Sequence, residues 1–62
     1  MEEQELRFVF DAFVYAVKSA KVTDTQHKLM TFEFVHHLAE KKIIRTEAMV
    51  NLVESLLNRI AS

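Results

Sequence analysis

The sequence predicts a small all-α protein built from three helices. Apolar residues recur at intervals of three and four in three successive segments, the spacing that places side chains on one face of a helix. The 62-residue chain contains no glycine and no proline, whereas average usage would supply about seven such residues. Because two-residue β-hairpin turns favour glycine, its absence removes the usual signal for paired strands.

The first predicted helix covers about residues 2–20. Its polar residues Arg7, Asp11 and Lys18 lie opposite one apolar stripe, so the helix is amphipathic. Glutamates in its first turn stabilise the positive end of the helix dipole. The stripe that we expect to face the core consists of Leu6, Val9, Phe10, Phe13, Ala16, Val17 and Ala20.

The second predicted helix covers about residues 24–42. Thr23 and Gln26 have the spacing of a capping box, which predicts that the helix begins near Asp24. Two apolar stripes leave only a narrow polar wedge, and a helix that is apolar around most of its circumference is expected to be central and buried. The stripes consist of Leu29, Phe32, Val35, Ala39 and Ile43, and of Met30, Phe34 and Leu38.

The third predicted helix covers about residues 47–61 and follows a capping residue, Thr46. An alternative remains open, because no glycine or proline near residues 42–45 forces the chain to turn. A heptad series of apolar positions continues through that region. Residues 24–61 are therefore also compatible with one long helix, against which the first helix folds back as a helical hairpin.

We expect one helical domain over residues 1–62, with no internal repeat or linker. Eight basic and nine acidic residues give a net charge of −1, which indicates neither a polyanion-binding protein nor an acidic tail. The acidic N-terminal segment lacks the features of a signal peptide. No apolar run approaches the ~20 residues that cross a bilayer. These observations predict a cytoplasmic protein without a membrane partner.

The sequence offers little to support catalysis. There is no glycine-rich loop for a phosphate, no cysteine, and no nucleophile accompanied by a base and an orienting acid. Glu33 and His36 have the Glu-x-x-His spacing of di-iron helical bundles, but those sites also need further inward carboxylates. We therefore predict neither enzymatic activity nor a metal or other cofactor.

Chain length predicts self-association. A chain of about 60 residues buries only about 60% of the surface that its unfolded form exposes, and this one has no cysteine for a disulfide. The wide apolar faces of the second and third helices cannot all be covered within one chain. We therefore expect a homodimeric helical bundle, intertwined or side by side, whose interface is drawn from the third helix. The expected interface residues are Met49, Val53, Leu56, Leu57 and Ile60.

A second apolar surface is predicted on the first helix. Phe8 and Tyr15 are seven residues apart, with Ala12 between them, on the side away from the main stripe. Exposed apolar patches of this kind mark interaction sites. Whether the surface contacts a second copy or a different protein stays open. The predicted function is stoichiometric protein binding by a small regulator, such as an adaptor, inhibitor or antirepressor.

The alternative function is that of a dimeric helix-turn-helix transcriptional regulator. The second and third helices would form the motif, with Lys41, Lys42, Arg45 and Asn51 as candidate nucleic-acid contacts. Against it, the polar face of the third helix carries glutamates and a single cation, Arg59. A recognition helix usually presents basic or amide side chains to the bases.

Overall fold

Three α-helices joined by two short turns make up residues 2–62, the part of the chain that a computed structural model describes. Helix α1 spans Glu3–Ala20, α2 spans Asp24–Glu40 and α3 spans Met49–Ala61, preceded by a 3₁₀ turn at Thr46–Ala48. No strand occurs within the described residues. The all-α, three-helix prediction is confirmed, and only the first residue of the predicted 1–62 domain lies outside the described part.

The turn between α1 and α2 is built from a left-handed residue and a capping box. Lys21 ends α1 with φ of 53° and ψ of 42°, in the left-handed helical region. Two residues later, the Thr23 hydroxyl accepts a hydrogen bond from the Gln26 amide at 3.2 Å. The Gln26 side-chain oxygen accepts one from the Thr23 amide at 3.1 Å. The predicted capping box is therefore confirmed.

A Schellman motif separates α2 from α3. Lys42 has φ of 60°, and its amide donates to the Ala39 carbonyl at 3.0 Å, while the Ile43 amide donates to the Leu38 carbonyl at 2.9 Å. The chain then turns so that Ile44 packs against the core. The alternative of one helix over residues 24–61 is wrong, because the Schellman motif ends α2 and residues 41–45 separate it from the turn that begins α3.

The start of α3 also differs in detail from the prediction. Thr46 begins the 3₁₀ turn instead of capping the helix, and Ala48 holds the N-cap position without a side-chain hydrogen bond. Each of the other predicted boundaries lies within two residues of the observed one. Differences of this size are usual at helix ends, where the last turn frays or tightens.

The core is formed where α3 packs against both other helices. One polar residue, Thr31, is fully buried in this core. Its hydroxyl is not left unpaired, because Oγ1 donates a hydrogen bond to the His27 carbonyl at 2.8 Å. Val14 is buried although it lies outside the predicted stripe of α1, whereas Ala16 and Ala20 of that stripe are exposed. The buried apolar residues are Val14, Val17, Val35, Leu38, Val53 and Leu56.

The prediction that α2 is the central, buried helix is wrong. Helix α3 packs closely against α1 and α2, and one of the two apolar stripes of α2 leaves Leu29 and Phe32 exposed. A three-helix core has room for about one stripe from each helix. Helix α2 therefore buries Val35 from one stripe and Leu38 from the other, and leaves Leu29 and Phe32 in contact with solvent.

Aromatic rings fill the space between α1 and α2. Phe13 stacks on Phe34 with ring centroids 4.2 Å apart and planes 5° apart. Phe10 meets Phe34 edge to face at 6.2 Å and 81°. These rings are half-buried and lie against the aliphatic core. The phenylalanine rings thus separate α1 from α2, and the smaller aliphatic side chains form the centre of the core.

Polar contacts join α1 to α3 at the surface. The Arg59 guanidinium donates to the Asp11 carboxylate at 2.6 Å, and the Lys18 ammonium donates to the Ser62 carbonyl at 2.8 Å. Because residue numbers rise together in these two pairs, α1 and α3 run in the same direction. Exposed ion pairs contribute roughly 0–1 kcal/mol, so they adjust the packing more than they cause it.

Removing the largest of the fully buried side chains tests this architecture. We expect Leu56→Ala to lower the free energy of unfolding by ~2–5 kcal/mol, because Leu56 is only 1% exposed and its loss leaves a cavity. Chemical denaturation at one fixed protein concentration measures the change. Ser55→Ala, at an exposed site on the same helix, is the control and should change stability by less than about 0.5 kcal/mol. A similar loss in both variants would contradict the assigned core.

The left-handed backbone conformation of Lys42 gives a second prediction. Lys42→Gly should raise the free energy of unfolding by about 0.5–1 kcal/mol, because glycine adopts positive φ without the clash that Cβ causes. Lys41→Gly is the matched control, since its φ of −81° offers glycine no such advantage, and it should destabilise the protein slightly. Thermal and chemical unfolding of the two variants supply the comparison. A less stable Lys42→Gly variant would show that the helix does not end in the assigned way.

Candidate protein-interaction surfaces

The surface predicted on α1 is exposed in the structure. Phe8 and Tyr15 are 74% and 75% exposed, and Ala12 between them is exposed as well. Seven residues along a helix correspond to two turns and a rise of about 10.5 Å, so the two rings lie on one side of α1. We refer to Phe8, Ala12 and Tyr15 as the α1 surface.

The opposite face of α1 is fully occupied by the fold. Val14 and Val17 are buried there, and Phe10 and Phe13 pack against the core. The two rings of the α1 surface therefore have no place in the hydrophobic core of this chain. Tyr15 also presents a phenolic hydroxyl, which gives an otherwise apolar surface one hydrogen-bonding group.

Charged residues beside the α1 surface are already in contact with other charges. Arg7 approaches the Glu3 carboxylate at 3.5 Å, one turn earlier on the same helix. Asp11 is held by Arg59, as described above. Both pairs are exposed, so they form a polar border whose individual contributions to affinity are small. The rings are the part of this surface that gains most from being removed from water.

The residues predicted for the dimer interface divide into two groups. Val53 and Leu56 lie in the core of the single chain, with Leu56 almost completely inaccessible. Met49, Leu57 and Ile60 are half-buried and pack against that core. Leu56 is therefore already covered within the single chain, whereas Val53, although only 7% exposed, still lines an open groove.

An apolar groove between α2 and α3 was missing from the sequence predictions. Its volume is about 340 Å³ and its lining is apolar except for one carboxylate. Phe32 and Val50, on its two sides, are 54% and 67% exposed. The signal for it in the sequence was the surplus of apolar residues on α2, which we assigned to the core. The lining residues are Phe32, Met49, Val50, Val53, Glu54 and Leu57.

The candidate nucleic-acid contacts are exposed but do not form a continuous basic face. Lys41, Lys42 and Arg45 lie in the turn after α2, and Asn51 lies in the first turn of α3. Lys42 also has a conformational role in ending α2. Glu54, one turn beyond Asn51, places a negative charge on the helix that would enter the major groove, where it would oppose phosphate binding.

The histidines are dispersed. His36 Nδ1 lies 3.0 Å from a Glu40 carboxylate oxygen, and both side chains are exposed. Among residues 2–62, no three His, Cys, Asp or Glu side chains come close enough together to hold a metal ion. The Glu33–His36 spacing thus acquires no further carboxylate ligands in the described part of the chain.

His27 lies in a shallow depression beside the first turn. Its ring is half-buried, with Nε2 at 3.4 Å from an Asp24 carboxylate oxygen, and Nδ1 is buried without a hydrogen-bond partner among the described residues. Lys18 and Lys21 line the same depression, whose volume is about 370 Å³. The combination of two cations with Asp24 favours no particular charged ligand.

Comparison with known protein families, with curated proteins and with solved structures finds no match to this chain. Within residues 2–62, none of the helices is both long enough and apolar enough to cross a bilayer.

Proposed function

We propose that this chain is a small helical regulatory protein, of the adaptor, inhibitor or antirepressor type, that binds another protein stoichiometrically. The observation that carries the proposal is the exposure of Phe8 and Tyr15 on a helix whose other face is already packed. The protein would act by covering a surface of its target and would perform no chemistry of its own. We expect it to be cytoplasmic.

The energetics of the α1 surface favour protein binding. Aromatic side chains bury about 150–250 Å² each and supply much of the binding energy at interfaces. At about 25 cal/mol per Å², covering two such rings stabilises a complex by several kcal/mol before association costs are subtracted. Ala12 lies between the rings, and its small side chain leaves a shallow space that a partner side chain can fill.

A homodimeric form would give the protein two α1 surfaces. Such a dimer suits a target that is itself two-fold symmetric, or two copies of one target, because a two-fold axis repeats every surface once. The charged border around the rings would affect the rate of encounter more than the final affinity. Binding would then saturate at one target site for each chain.

The first test compares two serine pairs on α1. Phe8→Ser with Tyr15→Ser should leave the helical circular dichroism unchanged, because neither ring contributes to the core, and should abolish partner capture from the source organism. The control, Ala16→Ser with Ala20→Ser, adds two serines at exposed sites elsewhere on the helix and should capture normally. Mass spectrometry of affinity-purified samples identifies the partner. Loss of helical signal in the Phe8/Tyr15 variant would show that these rings are needed for folding, and undiminished capture would exclude the α1 surface.

Titration of the purified partner then tests the mechanism. We expect calorimetry to reach saturation at one partner site per chain, and inhibition or recruitment to follow the same titration. Addition of a metal chelator should change neither. Turnover far beyond stoichiometric amounts, or activity abolished by the chelator, would contradict action by binding alone and direct attention to Glu33 and His36.

The alternative function, DNA binding, is tested by salt dependence. We expect no binding of random duplex DNA up to about 10 μM protein at physiological salt, since Lys41, Lys42 and Arg45 lie in one turn and α3 itself carries a single cation, Arg59. Steeply salt-dependent binding at lower concentration would favour the alternative. Replacement of Lys41, Lys42 and Arg45 together by alanine should then remove that binding.

A further inference from the structure

We propose that the groove between α2 and α3 is the docking site for a second copy of this chain. In the dimer, Phe32 of each copy enters the groove of the other across a two-fold axis. The inference rests on the homodimer in the proposed function and deepens it by assigning the face. It keeps Met49, Val53 and Leu57 of the interface expected from sequence, adds Phe32 and Val50, and leaves out the buried Leu56.

The exposed area supports an occupant of this size. The chain has a mass of 7.3 kDa and exposes 4823 Å². A folded monomer of that mass exposes about 4,200 Å². The excess of about 650 Å² approaches the ~800 Å² that each partner loses in a standard protein–protein interface. A second copy covering this face would bring the exposed area per chain to that of an ordinary folded protein.

Part of the excess lies on the α1 surface, and the rest includes large apolar side chains beside the groove. Five phenylalanines occur in the chain, and the buried core consists instead of valine, leucine and threonine. Phe32 is one of the most exposed of the five, and Leu29, one turn earlier on α2, continues its apolar surface. Together with Val50 across the groove they form a continuous apolar face, which is a feature of interaction sites.

The groove is large enough to hold the Phe32 side chain of a second copy. A cavity of about 150 Å³ accommodates a benzene molecule, so a groove of about 340 Å³ has room for a phenyl ring and the side chains next to it. A two-fold interface brings identical patches together, and each patch must contain both a projection and a recess. Here the exposed Phe32 is the projection, and Met49, Val53 and Leu57, the less exposed lining residues, form the recess.

Charge favours a particular arrangement of the two copies. Lys28, one turn before Phe32, is exposed on α2, and Glu54 lines the groove on α3. If α3 packed on the partner's α3, the two Glu54 carboxylates would approach each other and repel. Packing of α2 on the partner's α3 instead places Lys28 near the partner's Glu54, so that opposite charges meet.

The dimer leaves the α1 surface free. All six residues that line the groove belong to α2 and α3, whereas Phe8 and Tyr15 project from α1. Self-association and binding of another protein therefore use different faces and do not compete. For this reason the two proposals make separate experimental predictions.

The test compares two exposed phenylalanines changed in the same way. Light scattering and sedimentation from about 1 to 200 μM should give the wild-type chain about twice its 7.3 kDa mass. Phe32→Glu should be monomeric over this range, with a dimer dissociation constant raised at least about a hundredfold, because a two-fold interface receives the charge twice. Phe8→Glu, the matched control, should remain dimeric. A dimer that dissociates with Phe8→Glu and persists with Phe32→Glu would overturn the assignment.

Val50→Lys gives an independent variant on the other side of the groove. Val50 is mostly exposed within one chain, so the substitution should preserve helical circular dichroism and still produce a monomer. A wild-type chain that is monomeric and cooperatively folded at the highest concentration would overturn the inference together with the homodimer. A folded Val50→Lys variant that remains fully dimeric would overturn the groove alone.

Partner capture separates this inference from the proposed function. Phe32→Glu and Val50→Lys should still bind the partner identified with the wild-type chain, with apparent affinity for a two-fold target reduced through loss of the second α1 surface. Complete loss of capture in these folded variants would mean that the groove binds the other protein instead. That result would overturn the docking of a second copy.

Discussion

Packing of α3 against both other helices is the interaction on which the rest of the structure depends. Val53 and Leu56 of α3 meet Val14 of α1 and Val35 of α2 in one buried cluster. Between α1 and α2, by contrast, half-buried phenylalanine rings occupy the space. A few small aliphatic side chains therefore determine where all three helices lie. The surface ion pair between α1 and α3 strengthens an arrangement that hydrophobic burial has already selected.

A core of this size has a consequence for the surface. Helices that meet through valine and leucine approach closely and leave no interior space for five phenylalanines. Some of these rings fill the margin of the core, and others remain exposed on separate faces. Phe8 projects from α1, whereas Phe32 projects from α2 beside a recess. The same packing constraint thus produces two apolar faces with different shapes, one convex and one grooved.

Local features were predictable from the sequence, and features that depend on the packing of several helices were not. The Thr23 capping box involves four consecutive residues, so its spacing is sufficient to find it. The end of α2 was harder to locate, because Lys42 occupies a left-handed position where glycine is the usual signal. Burial of Val14 depends on how α1 rotates against α3. The α1 surface was accessible to prediction because the opposite stripe was already complete, whereas the groove required knowing that α2 leaves Leu29 and Phe32 outside the core.

The dependence on α3 also determines when the chain can fold during synthesis. Helix α3 is the last of the three to be translated, and at about 5–20 residues per second the segment after α2 requires roughly 1–4 s. During that interval Val14 and Val35 lack the side chains that bring them together, and short helices alone are only marginally stable in water. The nascent α1–α2 hairpin therefore lacks the buried cluster that would hold it closed until α3 has been made.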